Sequence, residues 1–201
     1  MLVETRNSGG TSTTPLETKY FGQRDLFIRG EITEKSTDDF CEEFVYLVRQ
    51  SKEPIRIWIS SPGGSLPAGL RIVDLIQSAK DSNISIITLA YGPVYSMAAI
   101  VFSSGTQRLM LPHCKLMLHP AAYSDGYGGS LKDMTAKAEM LKEYEDTSNR
   151  ILSQNTGKTV EEIVENNGYD HFYSAEEAII YGLCDRIANI SDFVKQGEQY
   201  E

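Results

Sequence analysis

From about residue 25 onward, short β-branched and apolar runs alternate with longer stretches whose apolar residues recur at helical spacing. Asp25-Leu26-Phe27-Ile28-Arg29-Gly30 reads as a first strand, and Ser36-Thr37-Asp38-Asp39 opens a helix through about Arg49 with a capping-box pattern. A strand near 55–60, a helix near 66–79, a strand near 84–90 and a helix near 97–103 follow. Short strands near 107–111 and 115–119 come next, then a helix from Leu131 to Gln154 with a broken apolar stripe at Leu131, Met134, Ala138, Leu141, Ile151 and Leu152. A stripe of this kind means core packing, with an interface as the next reading. Such βα alternation predicts an α/β fold with a largely parallel sheet flanked by helices. Met1 to about Tyr20 is polar and rich in Gly, Ser and Thr, which predicts a mobile arm, with the folded domain spanning 21–201.

Composition narrows the class. At 201 residues and 41% hydrophobic content the chain is long enough for one sizeable domain, and neither an internal repeat nor a linker divides it. A net charge of −9 argues against nucleic acid, which asks for a clustered basic surface. No apolar run approaches the roughly 18 residues of a membrane span, and no charged-then-apolar leader is present, so a cytoplasmic protein is expected. Cys41, Cys114 and Cys184 are odd in number and widely spaced, reading as reduced packing residues and neither a disulfide frame nor a metal site. The Asn-x-Ser matches at Asn83 and Asn189 carry no meaning without secretion.

Candidate chemistry centres on Ala90-Tyr91-Gly92-Pro93-Val94-Tyr95-Ser96-Met97-Ala98-Ala99. Ser96 falls between an apolar strand and a small-residue helix start. There its hydroxyl projects into a cleft while the first helical N–H groups face the same space. A serine in this place is more often a simple cap, so the reading leans on two further segments. Ser61-Pro62-Gly63-Gly64-Ser65 joins a strand to a helix, and its glycines leave backbone N–H groups uncovered by any Cβ. Lys115-Leu116-Met117-Leu118-His119-Pro120 is a short strand ended by proline, with His119 at its mouth as a candidate base; His113 and His171 have poorer surroundings. The glycines of Ala121 to Ser130 do not form a phosphate cradle, because no lysine-serine pair closes that loop.

These segments resemble the Clp protease proteolytic subunit (ClpP) family from about Asp25 to Ala188. The resemblance rests on the Ser-Pro-Gly-Gly turn followed by Ala68-Gly69, on Tyr95-Ser96-Met97-Ala98, and on the run from Leu111 to His119. Phe172-Tyr173-Ser174-Ala175-Glu176-Glu177-Ala178 leading to Tyr181-Gly182-Leu183-Cys184-Asp185 completes it. It implies a ClpP/crotonase-like fold with a protruding handle helix in the region 123–157. It implies a serine endopeptidase that hydrolyses unfolded polypeptides or peptides, without metal or cofactor, inside a chambered homo-oligomer of two stacked seven-subunit rings. An AAA+ unfoldase or a ClpP paralogue is implied as partner, although the polar arm lacks the apolar segment that would seat it. By the resemblance Ser96 is the nucleophile, His119 the general base, and Gly64 and Met97 donate the oxyanion-hole N–H groups. Gly126, Tyr127, Gly128 and Gly129 would bind the substrate backbone as an added strand.

The third member of the triad departs from the pattern. Asn166 stands where the family has aspartate, with Asp170 and Asn167 as the other candidates. An amide oxygen orients an imidazole but does not offset its positive charge; the loss of the carboxylate from a serine-protease triad costs about 10⁴ in turnover. A slow enzyme follows, or one completed on assembly or by a partner subunit. Two readings of other classes stand beside it: a weakly active or inactive structural or regulatory subunit of a mixed ring, motivated by Asn166, and a crotonase-like acyl-CoA enzyme. A membrane-bound signal-peptide peptidase lacks its lysine base and anchor.

Overall fold

A computed structural model of the chain describes residues 1–7, 10–123 and 128–192. Strand β1 (Leu2–Asn7) pairs antiparallel with β2 (Gly10–Pro15), and α1 (Leu16–Gly22) follows at once. The segment expected to be a mobile arm thus forms a hairpin and most of a helix. Thr, the commonest residue of β2, favours a pleated backbone whatever its polarity, and α1 docks on the body through Tyr20, edge-on to Phe27 at 5.3 Å between ring centroids. Phe21 packs against the main core, so the boundary placed at residue 21 falls inside a docked helix.

β3 (Asp25–Arg29), α2 (Glu34–Gln50), β4 (Ile55–Ser61) and α3 (Leu66–Asp81) come next. Helix α2 opens two residues earlier than the pattern at Ser36 predicts, because the cap is Thr33: its side chain accepts from Ser36 N–H while the Ser36 hydroxyl accepts from Thr33 N–H. β5 (Ile86–Tyr95) runs into α4 (Met97–Ser103), followed by β6 (Gln107–Met110), β7 (Leu116–Leu118) and α5 (Leu131–Thr156). The chain ends in α6 (Val160–Asn166), β8 (His171–Tyr173), α7 (Ala175–Tyr181) and β9 (Arg186–Ile187), with a single 3₁₀ turn after it.

Seven strands form one sheet, with β3-β4-β5-β6-β9 in order and all parallel. β7 adds in parallel to the far end of β5, and β8 pairs antiparallel with β7. One face of β4 carries Ile55, Ile57 and Ile59, each fully buried under α2, α3 and α4. The opposite face holds a smaller cluster of Leu89, Leu109 and Ala188 flanked by Trp58 and Tyr91. Every residue of α4 is buried, which fixes the position of its first turn. α5 behaves otherwise. Only its second half packs on the body through Ser148, Asn149, Ile151 and Leu152, whereas Leu131 is 78% exposed and Met134 and Met140 are also exposed. The stripe read as core is therefore core only beyond about residue 141. Among the described residues no helix is long and apolar enough to cross a membrane, and Cys41, Cys114 and Cys184 are free thiols.

Asp25 ties the first two parallel strands together. Its carboxylate is 3% exposed and accepts from Arg56 Nε at 2.5 Å, Arg56 Nη2 at 2.7 Å and Trp58 Nε1 at 3.0 Å. Removing one member of such a pair strands the other charge in a poorly solvated place. Asp25→Ala is expected to lower stability by about 3–5 kcal/mol, read as a shift in urea midpoint at fixed protein concentration. Asp25→Ala combined with Arg56→Leu recovers much of that loss.

Candidate active site

Ser96 sits at the corner between β5 and α4. Its φ of 54° is positive, a conformation that costs a non-glycine residue of order 1–3 kcal/mol and persists only where the surroundings impose it. Three contacts do so. Ser96 N–H donates to Met117 O at 2.8 Å, and Ala99 N–H donates back to Ser96 O at 2.9 Å, starting the helix. Gly63 presses from the third side. A Cβ on Gly63 would lie 2.7 Å from Ser96 Cβ and 2.7 Å from Tyr95 O, so only glycine fits there.

The strand β7 runs alongside this corner and delivers His119 just past its end. His119 Nε2 lies 2.8 Å from Ser96 Oγ. With the imidazole in its Nδ1–H tautomer, the hydroxyl donates to Nε2, the arrangement a general base needs to take that proton. Both residues are half-buried.

Gly64 forms a parallel bridge with Ile32 in which Ile32 makes both hydrogen bonds, its N–H to Gly63 O at 2.8 Å and its carbonyl from Ser65 N–H at 2.9 Å. In that pattern the Gly64 N–H points away from Ile32. Gly64, Ser96, Met97 and His119 line one pocket of about 410 Å³. Met97 supplies the first N–H of α4, which has no carbonyl four residues back to bond. Gly69 leaves the space in which the Met97 side chain lies, since a Cβ there would come within 2.2 Å of Met97 Cγ.

Asn166 is not brought to His119. It ends α6 and turns its amide back along the helix, Nδ2 donating to Glu162 O at 2.7 Å. Asp170 is exposed and does not line the pocket. Of the three candidates Asn167 is the one that lines the pocket with Ser96 and His119: it caps α6, is 6% exposed, and its Oδ1 is buried without a hydrogen-bond partner. Among the described residues, the bond to Ser96 is the one side-chain hydrogen bond His119 makes. Gly126 and Tyr127 lie outside the described residues. Gly128 and Gly129 precede the Ser130 cap of α5 without strand pairing, and neither lines the pocket. No cluster of metal-ligating side chains occurs among the described residues.

Two features escaped the sequence reading. Gly63 was one of a pair of turn glycines, with nothing local to show that it abuts Ser96. Ser148 and Asn149 also line the pocket, on the packed half of α5. Their signal was available: Leu141, Ser148 and Leu152 share one helical face, so Ser148 is a polar residue in an apolar stripe.

The Clp protease family model matches residues 8–191. The chain is similar to the ATP-dependent Clp protease proteolytic subunit 2 of Bifidobacterium longum (strain NCC 2705), 30% identical over 93% of this chain and 89% of that one. It is similar to the proteolytic subunit 2 of Tropheryma whipplei (strain Twist), 34% identical over 82% of this chain and 91% of the relative. The proteolytic subunit 3 of Rhodococcus jostii (strain RHA1) is 34% identical over 87% and 85%. With a serine and a histidine hydrogen-bonded at a strand-to-helix corner and a match that runs through nearly the whole fold, this chain belongs to the Clp protease family as a ClpP-like serine protease.

Proposed function

We propose that Ser96 is the nucleophile and His119 the general base of an endopeptidase acting on unfolded polypeptides, and that its turnover is attenuated. The 2.8 Å contact between Ser96 Oγ and His119 Nε2 carries this reading. Ser96 Oγ attacks the scissile carbonyl carbon as its proton passes to Nε2. The negative oxygen that forms is held by the N–H groups of Gly64 and Met97. Collapse breaks the C–N bond, the leaving amine takes the proton from His119, and an acyl-Ser96 ester remains. Water then attacks that ester with His119 again as base, restoring the serine and releasing the acid.

Asn167, not Asn166, is the residue we place third. Its unpartnered buried Oδ1 lines the same pocket as the imidazole, and catalytic hydrogen bonds often tighten only when substrate is bound. A neutral amide orients the ring but leaves the imidazolium charge unbalanced, which is the physical ground for slow turnover.

The relatives are named as subunits of an ATP-dependent protease, and that supports a stacked-ring homo-oligomer fed by an AAA+ unfoldase, or joined by a ClpP paralogue. The exposed first half of α5, with Leu131, Met134 and Met140 open to solvent, agrees with assembly through the handle. A regulatory subunit of a mixed ring is the second reading, favoured by the single side-chain hydrogen bond of His119 among the described residues.

Labelling of the purified protein by a fluorophosphonate, read by intact mass, is expected to add one adduct that disappears in Ser96→Ala and slows by about 10²–10⁴-fold in His119→Ala. Labelling of Ser96→Ala at an unchanged rate would place the nucleophile elsewhere; no labelling of the assembled wild type would favour the regulatory subunit. The two asparagines separate cleanly. Asn167→Ala is expected to slow labelling roughly 10- to 100-fold and Asn167→Asp to speed it, with Asn166→Ala within about threefold of wild type. The opposite ranking would return the third position to Asn166.

A further inference from the structure

β3 stands at the end of the strand order and pairs with β4 alone. Two backbone bonds fix which way its peptide groups point: Arg56 N–H donates to Arg24 O at 3.0 Å, and Gly30 N–H donates to Ser60 O at 3.1 Å. Peptide groups alternate in direction along a strand, so those of Leu26 and Ile28 also face β4, and Asp25, Phe27 and Arg29 direct their N–H and C=O groups to the other side. None of these outward groups is bonded to backbone elsewhere among the described residues. A row of unpaired donors and acceptors on an edge strand is a template for another strand, and proteins commonly blunt it with a proline, a bulge or a covering element. β3 has neither a proline nor a register shift.

A groove of about 280 Å³ runs along this edge between α1 and α2. Phe21, Phe40 and Ile72 give it apolar walls, and Asp25, Phe27 and Arg29 lie along its side. Its remaining charge is negative. Glu17, Glu31 and Glu43 line it, and none of them forms an ion pair among the described residues. Asp25 is already bound to Arg56. Arg29, the one cation in the lining, lies over the Phe27 ring at 4.0 Å and donates to Tyr91 Oη at 3.0 Å, so its charge is engaged elsewhere. Neither Ser96 nor His119 lines this groove.

We propose that the groove docks an extended segment of a partner protein, which adds to the sheet as a strand beside β3, sets an apolar side chain against Phe21 and Phe40, and brings lysine or arginine side chains to Glu17, Glu31 and Glu43. Backbone bonds to Phe27 and Arg29 supply affinity, and the alternate side chains of the segment supply choice. Charge decides the class of partner. An acidic segment meets three unpaired carboxylates, and a second copy of this chain, at a net charge of −9, is a poor source of a basic one. Because the groove is separate from the reacting pair, the docked segment is a bound partner and not a substrate.

Three short dye-labelled peptides test this by fluorescence anisotropy on the full chain: one of alternating lysine and valine, one with glutamate in place of lysine, and the lysine peptide N-methylated throughout. The third keeps the charge but has no N–H to give to a sheet edge. The lysine peptide is expected to bind at least about tenfold more tightly than the glutamate peptide, and at least about tenfold more tightly than its N-methylated form, which loses two or more hydrogen bonds. In Glu17→Lys with Glu43→Lys the preference between lysine and glutamate is expected to invert, while a fluorophosphonate labels Ser96 at the wild-type rate and so reports an intact fold. Equal binding of the N-methylated peptide overturns the proposal, because charge alone then explains the affinity. An unchanged preference in the double variant also overturns it, by placing the peptide elsewhere. So does failure of the lysine peptide to bind; if the assembly, sized by sedimentation, is then smaller in the double variant, the edge belongs to a second copy of the chain.

Discussion

The hydrogen bond from Ser96 N–H to Met117 O is the contact on which the site depends. β5 pairs with β6 as far as Ala90 and with β7 from Val94, so one strand changes partner partway along its length. Pro93 stands in the gap, where no ladder N–H is needed. The second pairing sets Tyr95 opposite Met117, which brings the residue after β5 and the residue after β7 to the same place. Ser96 and His119 are 23 positions apart in the chain and 2.8 Å apart in space because of that register. A slip of one residue would turn the serine to the other face of the sheet.

Close backbone approach is the second requirement. The positive φ of Ser96 lifts its side chain out of the strand direction, and Gly63 holds it there by abutting its Cβ. Gly69 makes room for the Met97 side chain, so α4 lies tight against α3 with its first N–H fixed beside the serine. α4 is buried along its whole length, which leaves the corner little freedom to relax. The strain at Ser96 is sustained by the packing around it and persists where the chemistry needs it.

Much of the fold was legible because buried parallel strands and amphipathic helices write their periods into the chain. The strand at Ile55–Ser61, the helix at Leu66–Asp81 and the helix at Met97–Ser103 all lie within a residue or two of the expected bounds. The N-terminal hairpin was not legible: β2 is polar and almost wholly exposed, so composition read as an arm what backbone pairing makes a hairpin. The first half of α5 failed the other way. Its apolar residues have helical spacing, yet Leu131 and Met134 have no sheet beneath them.

The site divides along the same line. Ser96 and His119 could be picked out as candidates because each ends a short strand, one at a helix start and one before a proline, and the family resemblance of those segments added their roles and those of Gly64 and Met97. Asn166 against Asn167 could not be decided in that way. Adjacent residues at the end of α6 differ by about 100° of rotation, and only the packing of α6 determines which amide turns back to Glu162 O and which lines the pocket that His119 also lines. Ser148 and Asn149 likewise become pocket lining only when α5 lies across α4. The sequence by itself determined the alternation of strands and helices from Asp25 to Ser103 and the candidacy of Ser96 and His119, because strand and helix periods and the residues that end them are short-range features. The tertiary structure alone decided which neighbours face that pair, because that depends on how helices distant in the chain rotate and dock against one sheet.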